Sequence, residues 1–422
     1  MATNRTTTAF QHIKEISGHL DSINAIEFSS DGKLLASGGD DGQLLIISAQ
    51  NWKVVKTYDA GESIRAIAWH PLQSIVTFGT KKGIVFRIRE TSDKQFDKDV
   101  AGVIHCMAYS SNGNHFAVGF NNNVLIARQS TMSTWSLEKY VPRPDGSSSD
   151  TDQVRNVHFH GEQSNILLAL YLESGIHAYE FNNNDVYIKR QWKIDVQFQC
   201  GSSALSASSR FLPTTVLFQG VWWYDLSRKA VGPKHTVDSS EHEEEGMILP
   251  VLFIGPSTVA VGGLAGDVTL FELERTEAIQ VLKHSEYPVQ ALGFHLNKSN
   301  GSRYLVTGNS EAYRETVLTV WKSSVERKFV IIPWTTILLV VLVGMGAIFT
   351  AKSGVNVQVT FQQPDMSSIH QNPNVHTVFV ATPIASNTEA LPPTSLTSTV
   401  SMQSLMLVEP ESEAADDITD NA

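Results

Sequence analysis

Between Gly18 and Asp59 the chain alternates short apolar stretches with turn residues. "INAIEF" alternates, "SSDG" turns, "LLASGG" is apolar, "DDG" turns, "QLLIIS" is apolar and "KVVKTY" alternates again. Such a pattern predicts four short strands joined by tight turns. The first stretch returns as "IRAIAWHP", "IHCMAYSSNG", "VRNVHFHG", "ILPVLFIGP" and "VQALGFH", which carry the aromatics Phe28, Trp69, Tyr109, Phe159, Phe253 and Phe294. The interval from Phe159 to Phe253 is double, and "GSSALSASSRFLPTTVLFQGVWWYDL" fills it with a degenerate unit. Second-strand echoes ("SIVTFG", "HFAVGF", "NILLAL", "TTVLFQG", "TVAVGG", "YLVTGN") and third-strand echoes ("GIVFRI", "NVLIAR", "GIHAYE", "GVWWYD", "DVTLFE", "TVLTVW") complete seven units. Their spacing of about 40–50 residues marks a repeat architecture. The last unit has three strands, and "FQHIKEIS" before Gly18 is an orphan strand.

The pattern changes at position 329. From there to 349 no residue is charged. A buried strand runs about 4–8 residues and a core helix keeps a polar stripe, so neither accounts for this run. About 20 apolar residues match a bilayer core. A transmembrane helix is expected over 329–350, with a buried hairpin-like helix as the alternative. Pro333 and Trp334 suit its first turn, where a missing donor costs least and an indole prefers the interface.

The Gly18-His19 start, the Ser30-Asp31-Gly32 turn and "LLASGGDDG" resemble a WD repeat, although Ile47-Ser48 stands where that family has Trp-Asp. The resemblance implies an all-β fold: a seven-bladed WD-type β-propeller over 9–322, closed by the N-terminal strand, so that no sheet edge is left unpaired. It implies a polar network in blade 1 only, between His19 and Asp41, with apolar packing in the other blades. It also implies that second-to-third turns and outer-to-inner crossings share a top face. "PRPDGSSSDTDQ" (142–153), "HTVDSSEHEEEG" (235–246) and "NSEAYRE" (309–315) then become top-face loops. Long loops on a rigid scaffold are where binding usually lives; the bland reading is tolerated insertions. Strand order places Asp21, Arg65, Lys82, Arg155, Tyr313 and Arg314 near top-face strand ends as candidate partner-binding residues. The run Glu241, Glu243, Glu244 and Glu245, with Asp238 ahead, reads first as a solvated loop and second as a docking site for a basic partner.

Charge sharpens this picture. The formal net charge is −11, and one Lys against eight acids after the apolar run carries most of it. Neither side is basic, which argues against nucleic acid as a partner. Cys106 and Cys200 give no disulfide framework, as expected for a cytosolic domain. The first residues lack the apolar core of a signal peptide, so the apolar run is the expected targeting signal. Lys322, Arg327 and Lys328 precede it and only Lys352 follows, which predicts a single-pass protein with its N-terminal part cytosolic. An anchor this short suits the thinner ER bilayer. The tail, 351–422, is rich in Ser, Thr and Pro and is expected to be disordered. Sequons occur at Asn4, Asn297 and Asn300, on the predicted cytosolic side.

No P-loop, dinucleotide glycine pattern or nucleophile elbow occurs, so no catalytic residue, cofactor or metal is expected. His158 and His160, with Glu162 nearby, read as strand-end residues, and Cys106 as a small core residue. Trp222 and Trp223 are expected on opposite strand faces, one in the core and one at the rim. The function these features imply is a membrane-anchored, non-catalytic scaffold that binds proteins or peptides through the cytosolic top face. A second layout is similar to the ER-bound nucleotide exchange factor of the COPII Sar-type GTPase, which implies a small GTPase as partner. That family works through a glycine-rich, potassium-binding loop in its first blade; "SGGDDGQ" does not reproduce it, so no exchange residue carries over.

Overall fold

The computed structural model describes residues 6–326 except 8, 90–91, 101, 130–134, 145–150, 162–164, 182–187 and 237–246. The expected helix over 329–350, the tail and the acidic run at 241–245 lie outside the described residues. Among the described residues no helix is long and apolar enough to cross a membrane.

Seven four-stranded antiparallel sheets follow one another as blades. Blade 1 runs through Ile23–Phe28, Leu34–Gly39, Gln43–Ser48 and Lys53–Asp59. Blades 2 to 6 repeat this order, their inner strands being Ile64–Trp69, Ile104–Tyr109, Val154–His160, Cys200–Ser203 and Val251–Phe253. Blade 7 takes three strands from the C-terminal side, Val289–Leu296, Arg303–Asn309 and Thr316–Ser323, and its outer strand, Gln11–His19, from the N-terminal side. The orphan strand therefore closes the ring, with Ile16 paired to Leu318. Beyond the blade the segments that flank the ring pair once more, Thr6–Thr7 against Val325–Glu326, an addition the repeat pattern did not announce.

The second strands are apolar on both faces, and those of blades 2 and 3 ("IVTFGT" and "HFAVGF") are buried throughout. A strand that packs on two neighbours has no solvent face, so its run is continuous rather than alternating. The outer strand of blade 1 is exposed along most of its length. The hydrophobic core divides into clusters that each join two neighbouring blades. Ile64 and Phe78 of blade 2 meet Ala36 and Leu44 of blade 1, and Ile23 meets Val306 and Leu318 of blade 7. The remaining clusters do the same around the ring.

The inner strands share one irregularity. Ile23 and Ile26 both enter the cluster toward blade 7, although residues three apart should point to opposite faces of a strand. A β-bulge between Ile23 and Ala25 resolves the conflict by adding one residue to the inner strand. The same bulge opens the inner strands of blades 2, 3, 4, 5 and 7. Opposite it, blades 1 and 2 carry Gly38 and Gly79. A Cβ at Gly38 would stand 2.5 Å from Cγ2 of Ile64, and one at Gly79 would stand 2.6 Å from Cγ2 of Ile104. Each glycine is thus the gap into which the next blade's first apolar side chain fits.

Two corrections follow. Blade 7 carries its own polar chain: His284 Nδ1 lies 2.6 Å from Thr307 Oγ1, which accepts from Trp321 Nε1 at 3.1 Å. The expectation of apolar packing alone outside blade 1 fails here because Trp321 fills the strand position that Ile47 holds in blade 1. Trp222 and Trp223 are both buried, so neither sits on the rim. Phe198 and Lys234 cover the outward ring of Trp222, while Trp223 donates to His235 Nδ1 at 3.0 Å.

Gly38→Val should destabilise the ring by about 1–3 kcal/mol, the usual cost of overpacking, as read by urea denaturation. Thr307→Val leaves the Trp321 N–H and the His284 ring without their shared partner. It should cost about 1–3 kcal/mol, and an unchanged melting temperature would show that the chain contributes nothing.

Candidate functional site

Antiparallel order makes the outer-to-inner crossings and the second-to-third turns of all blades emerge on one end of the ring, the top. The bulges lie there, at the start of the inner strands that line the channel. The residue each bulge adds is polar in five blades: Asn24, Arg65, His105, Arg155 and Gln290. Hydrogen bonds link neighbouring members of this circle on blades 7, 1 and 2. Gln290 donates to Asn24 Oδ1 at 2.9 Å, and Asn24 donates to Asp40 Oδ1 at 2.7 Å and to the Ile64 carbonyl at 2.9 Å. Asp40 also accepts from Ser63 and, at 3.2 Å, from Arg65. Arg155 donates to Gln153 Oε1 at 3.2 Å. Burial first, then the charges of Arg155 and Arg65, push His105 down to about 4, so its imidazole is neutral at pH 7.

The six residues expected at the top are not brought into one patch. Arg65 and Arg155 share the mouth with His105, which strand order had overlooked. Asp21 is taken up by the loop itself: its carboxylate accepts from the Ser22 N–H at 2.7 Å, and its carbonyl accepts from Thr316 Oγ1 at 2.7 Å. Lys82 is paired with Glu62. Tyr313, 90 % exposed, and Arg314 form a separate group on blade 7, where Arg314 bonds Glu311 at 3.1 Å. Sequence reasoning also missed Phe198 and Phe218, 44 % and 58 % exposed, which line a cavity of about 380 Å³ between the top loops of blades 4 and 5.

At the other end of the channel a cavity of about 330 Å³ is lined by Glu27, Trp69, Met107 and Tyr109. Burial raises the Glu27 carboxyl from its ordinary 4.5 to about 8, against the weaker pull of the Trp69 N–H at 3.3 Å. His158 is bonded to Ser203 Oγ at 2.9 Å. Among the described residues no group of three or more His, Cys, Asp or Glu could hold a metal ion. Cys106 is buried, and burial pushes its thiol up to about 12.

Where the outer strand of blade 7 meets blade 1, His19 Nδ1 lies 3.0 Å from Asp41 Oδ2 and its Nε2 lies 2.9 Å from Ser37 Oγ. Burial alone would raise Asp41, but hydrogen bonds from His19 and the Gln43 and Leu20 N–H groups, with the His19 charge, hold it below the usual range. Fold and network together describe a seven-bladed β-propeller with a His–Ser–Asp network at the start of its first blade, similar to that of a WD repeat. Residues 10–48 match the family described as WD domain, G-beta repeat. The chain is 28 % identical over 117 residues to the small ribosomal subunit protein RACK1 of Candida albicans, covering 26 % of this chain and 37 % of that protein. It is 27 % identical over 165 residues to the WD repeat-containing protein SL1-17 of Schistosoma mansoni (36 % and 55 %). It is also 27 % identical over 139 residues to an intraflagellar transport protein 122 homolog of Danio rerio (32 % and 11 %). The chain thus matches at most just over half the length of these relatives. The β-propeller domain of Myceliophteria thermophila Cps50 (Swd1) superposes with a TM-score of 0.57 at 12 % identity, over 74 % of this chain and 99 % of that one, which shows the fold.

Glu27 makes a pH test. Its folded carboxyl holds a proton that the unfolded chain releases near 4.5, so its contribution to stability falls as pH rises from there to about 8. Glu27→Gln should remove that slope, at most about 1.4 kcal/mol per pH unit. Denaturation at pH 5 and pH 8 should show the variant gaining on the parent at the higher pH.

Proposed function

We propose that this chain is a membrane-tethered scaffold that binds partner proteins or peptides through the top of its propeller. WD-type propellers commonly bind proteins, and the top of this one carries the features such binding needs. The observation that carries the reading is the pairing of a polar, partly basic channel mouth with exposed aromatics, Phe198 and Phe218, around a concave site on the same end. Aromatic anchors beside a polar rim are the usual composition of a recognition surface. The tether is the apolar run after position 328, whose length matches a bilayer core. Charge bias supports a cytosolic propeller in the ER or early secretory pathway. Exchange activity on a small GTPase draws no support from blade 1, whose second-to-third connection is a tight turn closed from the Gly42 N–H to the Gly39 carbonyl at 3.2 Å.

Cross-linking capture with the full chain in cells tests the reading. Phe218→Asp at the top should lose the principal partners, and Leu296→Asp at the bottom end of the inner strand of blade 7 should keep them. The reverse pattern would place the interaction face elsewhere. Asn297 and Asn300 should stay unglycosylated, and a glycosidase-sensitive mobility that depends on either would reverse the orientation.

A further inference from the structure

We infer that the top mouth of the channel is an oxyanion site, in which Arg65, His105 and Arg155 receive a carboxylate or phosphate borne by a partner polypeptide. The inference rests on the top being the interaction face and adds the chemical group that this face reads.

The bulge residues divide into two arcs. Blades 7 and 1 contribute Gln290 and Asn24, which satisfy each other, Asp40 and a backbone carbonyl. Blades 2, 3 and 4 contribute Arg65, His105 and Arg155, in consecutive order around the ring. On this second arc the hydrogen bonding is incomplete. Arg155 Nε and His105 Nε2 are buried and have no hydrogen-bond partner. Arg155 Nε–H is a donor, and a buried orphan donor costs about 1–3 kcal/mol, so the structure holds a deficit that an acceptor would relieve. The carboxylate bonded here, Asp40, is already engaged by Asn24, Ser63 and Arg65. Both guanidinium charges reach His105, and Arg65 also reaches Arg155. A cation would be repelled, and a neutral amide offers as many donors as acceptors. An oxyanion is acceptor-only and carries the compensating charge, and arginine forks suit its planar or tetrahedral oxygens.

His105 gives the site a signature. In the free protein burial and two guanidinium groups keep it neutral. An anion seated between those groups offsets their charge and favours the imidazolium, in which both ring nitrogens donate. Binding therefore takes up a proton, and affinity rises as pH falls. The groups that bear on His105 are Arg155 and Arg65, with Asp40 reaching it through Arg65. The neighbouring Cys106 stays a neutral thiol.

The test uses the full chain in detergent micelles, with inorganic phosphate and the N-acetyl amides of phosphoserine, glutamate and serine as probes. The His105 ring resonance, assigned by its loss in His105→Gln, is followed against pH. Phosphate should raise its pKa by about one unit or more. N-acetyl-phosphoserine amide should bind at least about tenfold more tightly than the serine compound, the change expected when a charge-assisted contact is gained. Arg155→Gln should abolish that preference. Tight binding of phosphoserine alone assigns the site to phosphate; tight binding of glutamate as well assigns it to acidic groups in general. A His105 titration unmoved by every probe overturns the inference, and it is read in the unaltered protein, so a misfolded variant cannot obscure it. Equal probe binding by Arg155→Gln and the parent also overturns it. The scaffold reading is untouched by that result, because it falls only if top-face substitutions leave partner capture intact.

Discussion

Everything in this ring depends on how closely one blade can lie against the next. No blade owns a core: each apolar cluster is built half from one sheet and half from its neighbour. The spacing is set where Ile64 enters the space a side chain at Gly38 would fill, and where Ile104 does the same at Gly79. Burial of both sheet faces supplies the driving force, at roughly 25 cal/mol per Å² of apolar surface, but only a ring that closes can bury all of it. Closure by Gln11–His19 is therefore part of the core, since Ile16 completes the cluster between blades 7 and 1.

The close approach and the channel mouth are two results of one irregularity. An inner strand that must send residues three apart into the same cluster needs a bulge, and the bulge adds a residue at the top of the channel. The buried pair, such as Ile104 and Met107, belongs to packing. The residue after the first member, here His105, is free of packing and carries whatever chemistry the mouth has. A packing requirement repeated around the ring thus produces a circle of variable polar positions.

Polar chains cross the apolar blade interfaces at several places, each fitted to the residues at hand. At the seam of blades 7 and 1, His19 joins Ser37 and Asp41. Blade 7 keeps His284, Thr307 and Trp321. Blade 5 ties Trp223 to His235, which reaches the Arg275 carbonyl in blade 6 at 2.5 Å. These chains satisfy buried donors inside an apolar interface, where leaving one unpaired would be costly.

Strand order, blade number and closure were legible in the sequence because they rest on local signals: period-two alternation, turn residues and the recurring apolar–aromatic signature. The first strands were read as plain alternation, and the bulge that sends Ile23 with Ile26 to one face came only from the structure. What no local pattern could supply was the company each polar residue keeps. Arg65 and Arg155 lie some ninety positions apart, and His105 is depressed by both only because the ring brings blades 2, 3 and 4 to one mouth. Trp222 looked like a rim residue because alternation names a face without saying what covers it; Phe198 and Lys234 do. Alternation and turns are set by neighbours along the chain, whereas burial, charge coupling and the satisfaction of hydrogen bonds are set by neighbours in space.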